Sequence, residues 1–136
     1  MLINNYYQHL FIADIQNWCD LLEGVTPLTW MDVTTVPYWE FGPFIVKGRT
    51  NSRKHNWNTK MYVPKREDLG KVIAELIGDP LIADQGICIR RYIPLETILE
   101  GINGLPITME FRVFVCNGFM VDNGYYWSSH ALDVKE

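Results

Sequence analysis

Three apolar runs in this sequence carry charges that a plain core strand would not. Phe44-Ile45-Val46 ends on Lys47, Ile87-Cys88-Ile89 runs into Arg90 and Arg91, and Met109 to Val115 holds Glu110 and Arg112 two residues apart. A cation fixed at a strand end can neutralise a phosphate, and a nearby carboxylate can ligate a metal. Two unit charges at about 4 Å interact by about 4 kcal/mol at an effective dielectric of about 20, before desolvation, so such placements matter. Each feature also has a structural reading. A strand-end lysine often snorkels to water, and Glu110 with Arg112 could be an ion pair, which is costly to desolvate and adds little stability.

Positive charge is concentrated around Lys47. No lysine or arginine occurs from Met1 to Val46, whereas Lys47, Arg49, Arg53, Lys54, Lys60, Lys65 and Arg66 follow with no acid among them. The chain as a whole is acidic, with a formal charge of −4. A local basic cluster can still focus an anion in a cleft; a solvated basic loop is the equal alternative from charge alone. Cys19, Cys88 and Cys116 are far apart, lie among apolar neighbours and form no CxxC pair, which predicts buried reduced thiols. His9, His55 and His130 are scattered and suggest no triad with them.

These groups need a scaffold. With 136 residues, 48% apolar and 21% charged, the chain predicts a single domain over 1–136 with a core of its own. No run of about 18 apolar residues occurs and the N-terminus lacks the pattern of a signal peptide, so a soluble, cytoplasmic protein without membrane contact is expected. Phe11, Ile15, Trp18 and Leu22 fall at helical spacing and predict one helix over Gln8–Glu23, ended by Gly24 and Pro27. Thr26 to Gly42 reads as irregular, with Trp30, Tyr38, Trp39 and Phe41 packed beneath it. Phe44–Lys47 predicts a strand and Met61–Val63 its return partner, leaving between them a basic loop with few apolar anchors that is expected to be mobile without ligand.

Leu69, Val72, Ile73, Leu76 and Ile77 give the strongest helical spacing, stopped by Gly78 and Pro80. Gly86–Ile93 and Thr108–Val115 read as strands, and a third runs to Trp127 after Asn117-Gly118, the dipeptide favoured in type I′ hairpin turns. The class is therefore α+β, with antiparallel sheets and flanking helices. A two-residue turn at Asn117-Gly118 sets Cys116 opposite Phe119, Arg112 opposite Asn123 and Glu110 opposite Tyr125. Glu110, Arg112, Asn123 and Tyr125 then share one face, and Met109, Phe111, Val113 and Val115 supply core from the other. In Gly86–Ile93, alternation puts Arg90 and Arg91 on opposite faces, so at most one looks into a given cleft.

Taken in order, PFIVKGRTNSRKHNWNTKMYV, ICIRRYIPL and ITMEFRVFVCNGFMVDNGYYW resemble the ATP-grasp domains. The likeness covers Pro43 to Trp127 and is closest to the Arg-and-two-Lys clade of phage and bacterial proteins, related to the eukaryotic cell-division-cycle ATP-grasp chaperone. The resemblance implies a partial ATP-grasp-like fold and use of ATP and Mg2+. It gives phosphate contacts to Lys47 and Lys60 and makes the loop between them a lid over the triphosphate, with hydrogen bonds from Gly48, Asn51 and Ser52. Arg91, Tyr92 and Ile93 fall at the adenine hinge, where Arg91 replaces an acid that often holds ribose. Arg112 matches the arginine that reaches the reacting phosphate, and Glu110 is the candidate for magnesium and for catalysis. Later acids that complete the metal site in such enzymes are missing before the chain ends at Asp133-Val134-Lys135-Glu136.

The implied function is the nucleotide-binding portion of a carboxylate-amine or carboxylate-thiol ligase-like protein, incomplete for catalysis, with a missing C-terminal half or a protein partner to complete it. The alternative is a non-catalytic, phage-encoded interaction or inhibitor protein retaining part of the fold. Single-stranded nucleic-acid binding by Arg53, Lys54, His55 and Trp57 ranks third, because the basic cluster is confined to one loop of an acidic chain.

Overall fold

The computed structural model describes residues 5–127. Asp133, Glu136 and His130, which figured in the sequence reading, lie outside the described residues. The chain forms two compact units, the first ending at Ile93 and the second beginning at Pro94.

The first unit is built on a four-stranded antiparallel sheet in the order β1-β4-β2-β3, where β1 is Thr29–Trp30, β2 Phe44–Gly48, β3 Tyr62–Val63 and β4 Ile87–Arg91. The expected return strand is present, with Phe44 opposite Val63 and Ile45 opposite Tyr62. Alternation along β2 buries Phe44 and Val46 on the face covered by helix α2, Leu69–Ile77, whose Leu69, Val72 and Leu76 are buried at helical spacing. Val36, Val63, Ile82 and Ile89 complete this core. A smaller cluster of Ile15, Cys19 and Cys88, with Trp18 and Met31 against it, forms separately.

The predicted helix over Gln8–Glu23 is broken. Helix α1 runs only from Tyr6 to Ala13, with a capping box between Asn5 and Gln8, and short 3-10 turns follow at Ile15–Asn17 and Asp20–Leu22. Asp14 is extended and its carboxylate accepts from the Gln16 amide at 3.0 Å and from Arg49 at 2.6 Å. A capping aspartate thus overrides the apolar spacing, leaving Ile15 buried but Phe11 and Leu22 exposed. The irregular reading of Thr26–Gly42 missed β1, and Tyr38, Trp39 and Phe41 are exposed rather than packed.

The loop after β2 has polar partners from the segment between α2 and β4. It winds through a 3-10 turn, Lys54–Asn56, and a π-turn, Trp57–Met61, which the Tyr62 amide closes onto the Trp57 carbonyl. Such wide turns often mark functional positions.

In the second unit, β5 (Thr97–Glu100) pairs with β6 (Pro106–Thr108), and β7 (Phe111–Cys116) with β8 (Phe119–Tyr125). The run from Thr108 to Val115 is two strands, broken at Met109-Glu110. The two-residue turn is present, with Asn117 at φ 51° and Gly118 at φ 81°. The ladder shifts register between Phe114 and Val115, however, so Arg112 stands opposite Gly124 and Val113 opposite Asn123. That single extra residue on β8 corrects the predicted face: Asn123 and Tyr125 lie on the other side from Glu110 and Arg112. Met109, Phe111, Val113 and Val115 are also exposed rather than core, and Cys116 is exposed while Cys19 and Cys88 are buried.

Candidate functional site

Lys47 points away from α2. It is opposite Cys88 in the ladder and shares the face of Ile45 and Arg90, half-buried at the end of the strand. The next residue, Gly48, is fully buried because the chain above it leaves no room: a Cβ there would lie 2.7 Å from Gln85 Oε1 and 2.8 Å from Ile82 Cδ1. The glycine therefore lets the segment between α2 and β4 close onto the strand end.

Beyond Gly48 the loop is held by that same segment. Gln85 Oε1 accepts from the Thr50 amide at 3.1 Å, the Asn51 amide at 3.1 Å and the Thr50 hydroxyl at 2.5 Å. Two consecutive backbone N–H groups aimed at one oxygen form the kind of concavity that binds anions. Asp79 takes Arg53 at 2.6 Å and Lys60 at 3.1 Å, and its Oδ1 also accepts from the Leu81 amide. The hydrogen bonds from Arg53 and then Lys60 hold the Asp79 carboxyl well below the usual carboxylate range. Arg49 ties the loop to the N-terminal segment, through Asp14, Gln16 and a hydrogen bond from the Ile15 amide to its carbonyl.

Lys47 lies on the face of β2 turned away from α2, and the Lys60 ammonium is bound by Asp79 just past the C-terminus of α2. Ser52 is exposed on the loop between them. Trp57, which follows, stacks on Tyr62 with centroids 5.7 Å apart and planes 10° apart, and Tyr92 meets both rings edge-on at 6.2 and 5.3 Å. The Tyr92 amide donates to the Pro43 carbonyl at 3.0 Å, which fixes the chain as it leaves β4. Arg91 pairs with Glu40, and Ile93 is exposed. Arg90, on the opposite face, is held by the hydroxyls of Thr29 and Thr26, and burial lowers its pKa.

Glu110 and Arg112 lie in the second unit. No ion pair joins them among the described residues; instead the Arg112 guanidinium carbon stands 4.3 Å from the centroid of Tyr126. Glu110 is tied through its backbone, donating to Thr108 and accepting from Tyr126. Among the described residues no group of three or more His, Cys, Asp or Glu side chains could hold a metal ion. The residues present around Glu110 therefore do not by themselves make a magnesium site.

Sequence reasoning missed Asp79, Gln85, Glu40 and Tyr62. Asp79, Gln85 and Glu40 act across long sequence separations, while Tyr62 stacks on Trp57 five residues earlier and meets Tyr92 from far along the chain; only the basic excess of the loop hinted that acceptors must be supplied from elsewhere.

A family model for the ATP-grasp domain, family 3 of the Arg-and-two-Lys clade, matches residues 34–136. The chain belongs to this ATP-grasp family, and its mixed helix and antiparallel sheet architecture agrees with a partial ATP-grasp-like α+β fold. Neither the curated proteins nor the solved structures gave a match. No helix among the described residues is long and apolar enough to cross a membrane.

Proposed function

We propose that the chain is the nucleotide-binding portion of a carboxylate-amine ligase-like ATP-grasp protein, and that its ligand is ATP. The observation that carries this is the family match over residues 34–136, which takes in every residue assigned a role. Lys47, Lys60, Gly48 and Ser52 serve the phosphates, and Tyr92 and Ile93 the adenine, with Tyr62 and Trp57 stacked beside Tyr92 as a further aromatic wall. Arg91 stands where ribose would be held, already paired to Glu40. Arg112, in the second unit, has the phosphate role that the resemblance implies, whereas the described residues around Glu110 do not fit a magnesium ion and no metal role is proposed for it.

Binding asks less of the chain than turnover. Phosphate contacts and base stacking do not need a protein-held metal, whereas γ-phosphate transfer needs charge neutralised as it develops, and among the described residues no cluster of acids stands with Glu110 to hold an octahedral cation. The proposal is therefore binding without carboxylate-dependent ADP release by this chain alone. A coupled ADP assay on the wild type and Arg112→Ala tests it. Sustained turnover that disappears in Arg112→Ala would replace a binding role with a catalytic one.

A non-catalytic role in protein interaction is the second reading, favoured by the hairpin β7–β8. Phe111, Val115 and Met120 on one face of it and Phe114 and Phe119 on the other are each more than half exposed there.

A further inference from the structure

We infer that Asp79 and Gln85 are a built-in stand-in for a polyphosphate, holding the basic loop in a self-occupied state that an anionic ligand must displace. This rests on the reading that the loop takes phosphates.

The donors all lie on the loop and the acceptors all lie on one short segment. Thr50 and Asn51 present two consecutive amides and a hydroxyl to a single oxygen of Gln85. A carboxamide oxygen has two lone pairs, so three donors on it are a demand that a phosphate oxygen meets better. The other end of the Gln85 side chain donates to the Leu81 carbonyl, which turns the oxygen toward the loop. Asp79, six residues earlier, supplies the true negative charge and gathers the Arg53 guanidinium and the Lys60 ammonium on separate oxygens. An amide oxygen and a carboxylate thus satisfy two amides, a hydroxyl and two cations, which is the donor set of a phosphate-binding loop.

The stand-in is fixed to the core, not draped on the surface. Ile82, between the two acceptors, is 1% exposed and belongs to the main apolar cluster, and it would meet any Cβ at Gly48. The loop can therefore leave while the segment stays. Asp79 meets Arg53 through Nη2 alone, which leaves Arg53 Nε buried without a hydrogen-bond partner, a donor that an additional phosphate oxygen would satisfy. Lys60 can reach another anion only after releasing Asp79.

The consequence is competition. A ligand that needs the released loop binds with its intrinsic affinity reduced by the fraction of molecules released. Removing the stand-in should raise affinity, the opposite of what losing two structural polar residues would do.

The test uses inorganic tripolyphosphate as the probe, by calorimetry, on the full chain and on Asp79→Asn, Gln85→Ala and the double variant, with circular dichroism to confirm folding. The expected result is binding about tenfold tighter in the double variant and intermediate in each single one. In the wild-type chain, independent of any variant, tripolyphosphate should shift the Gln85 side-chain amide resonances as that group is released. Measurable binding to the wild type with equal or weaker binding to the folded variants, or an unmoved Gln85 resonance at saturation, overturns the stand-in and leaves nucleotide binding intact. Absence of binding to every form overturns both.

Discussion

Arg112 lies over the ring of Tyr126, its guanidinium carbon 4.3 Å from the centroid, and not beside Asn123, which a regular hairpin would have placed opposite it. The cause is one extra residue on β8. Turn chemistry set the first two pairs, Cys116 with Phe119 and Val115 with Met120, and the bulge then moved every later partner by one. The arginine that the family resemblance singles out is thereby backed by an aromatic face.

The turn itself is open to a simple test. Gly118 has φ +81° and nothing within 4 Å of the place a Cβ would take, so Gly118→Ala introduces backbone strain without a clash. The expected cost is about 1 kcal/mol, felt locally. Amides of Phe111 to Tyr125 should exchange several-fold faster, while those of β2 and β4 stay unchanged. Gly118→Asn, which tolerates positive φ, should be milder.

At Gly48 the constraint is space instead. Gly48→Ala should push Ile82 and Gln85 away from the strand end and destabilise the first unit by about 1–3 kcal/mol in urea unfolding. Because the closest core atom is Ile82 Cδ1 at 2.8 Å, adding Ile82→Val should recover part of that loss. No recovery in the double variant would mean that the crowding at this position is not with Ile82.

Asp79 should titrate below its ordinary value of 3.8, because Arg53 and Lys60 both donate to its charged form. A depressed folded-state pKa contributes stability that is present above the unfolded value and lost as pH falls through the folded one. The loop contacts should therefore persist at pH 5 and weaken only below about 3.8, toward the lowered value. Carboxyl carbon NMR reads this directly. Lys60→Met or Arg53→Ala should move the midpoint back up, the arginine variant more.

Thiol chemistry distinguishes the three cysteines. Burial raises the pKa of Cys88 and of Cys19, so thiolate is scarce at both, whereas Cys116 is exposed on β7. Iodoacetamide at about pH 8, near the ordinary thiol pKa, should label Cys116 first in the native chain and reach the other two only on unfolding. Early labelling of Cys88 would place that strand outside the core.

Local signals carried far in this sequence where the chain obeys them alone. The spacing of Leu69, Val72 and Leu76 marked α2, Asn117-Gly118 marked the hairpin, and Phe44-Ile45-Val46 marked β2 with its return at Tyr62-Val63. The failures have long-range causes. Asp14 breaks the first helix because Arg49, far along the chain, draws its carboxylate. The basic loop looked unsupported because its acceptors, Asp79 and Gln85, sit beyond a helix and carry no pattern of their own. Lys47 and Lys60 were legible as candidate phosphate ligands, but that Lys60 is engaged by Asp79 was not.

Nucleotide binding through Lys47 is the central claim, and titration calorimetry of ATP with magnesium against the wild type and Lys47→Met tests it most directly. Methionine keeps most of the apolar stem and removes the charge. One-to-one binding to the wild type, weakened at least about tenfold in the variant as expected for a lost charge-assisted phosphate contact, is the predicted result. Equal affinity in the two folded proteins, or no heat from the wild type at millimolar ATP, would contradict it.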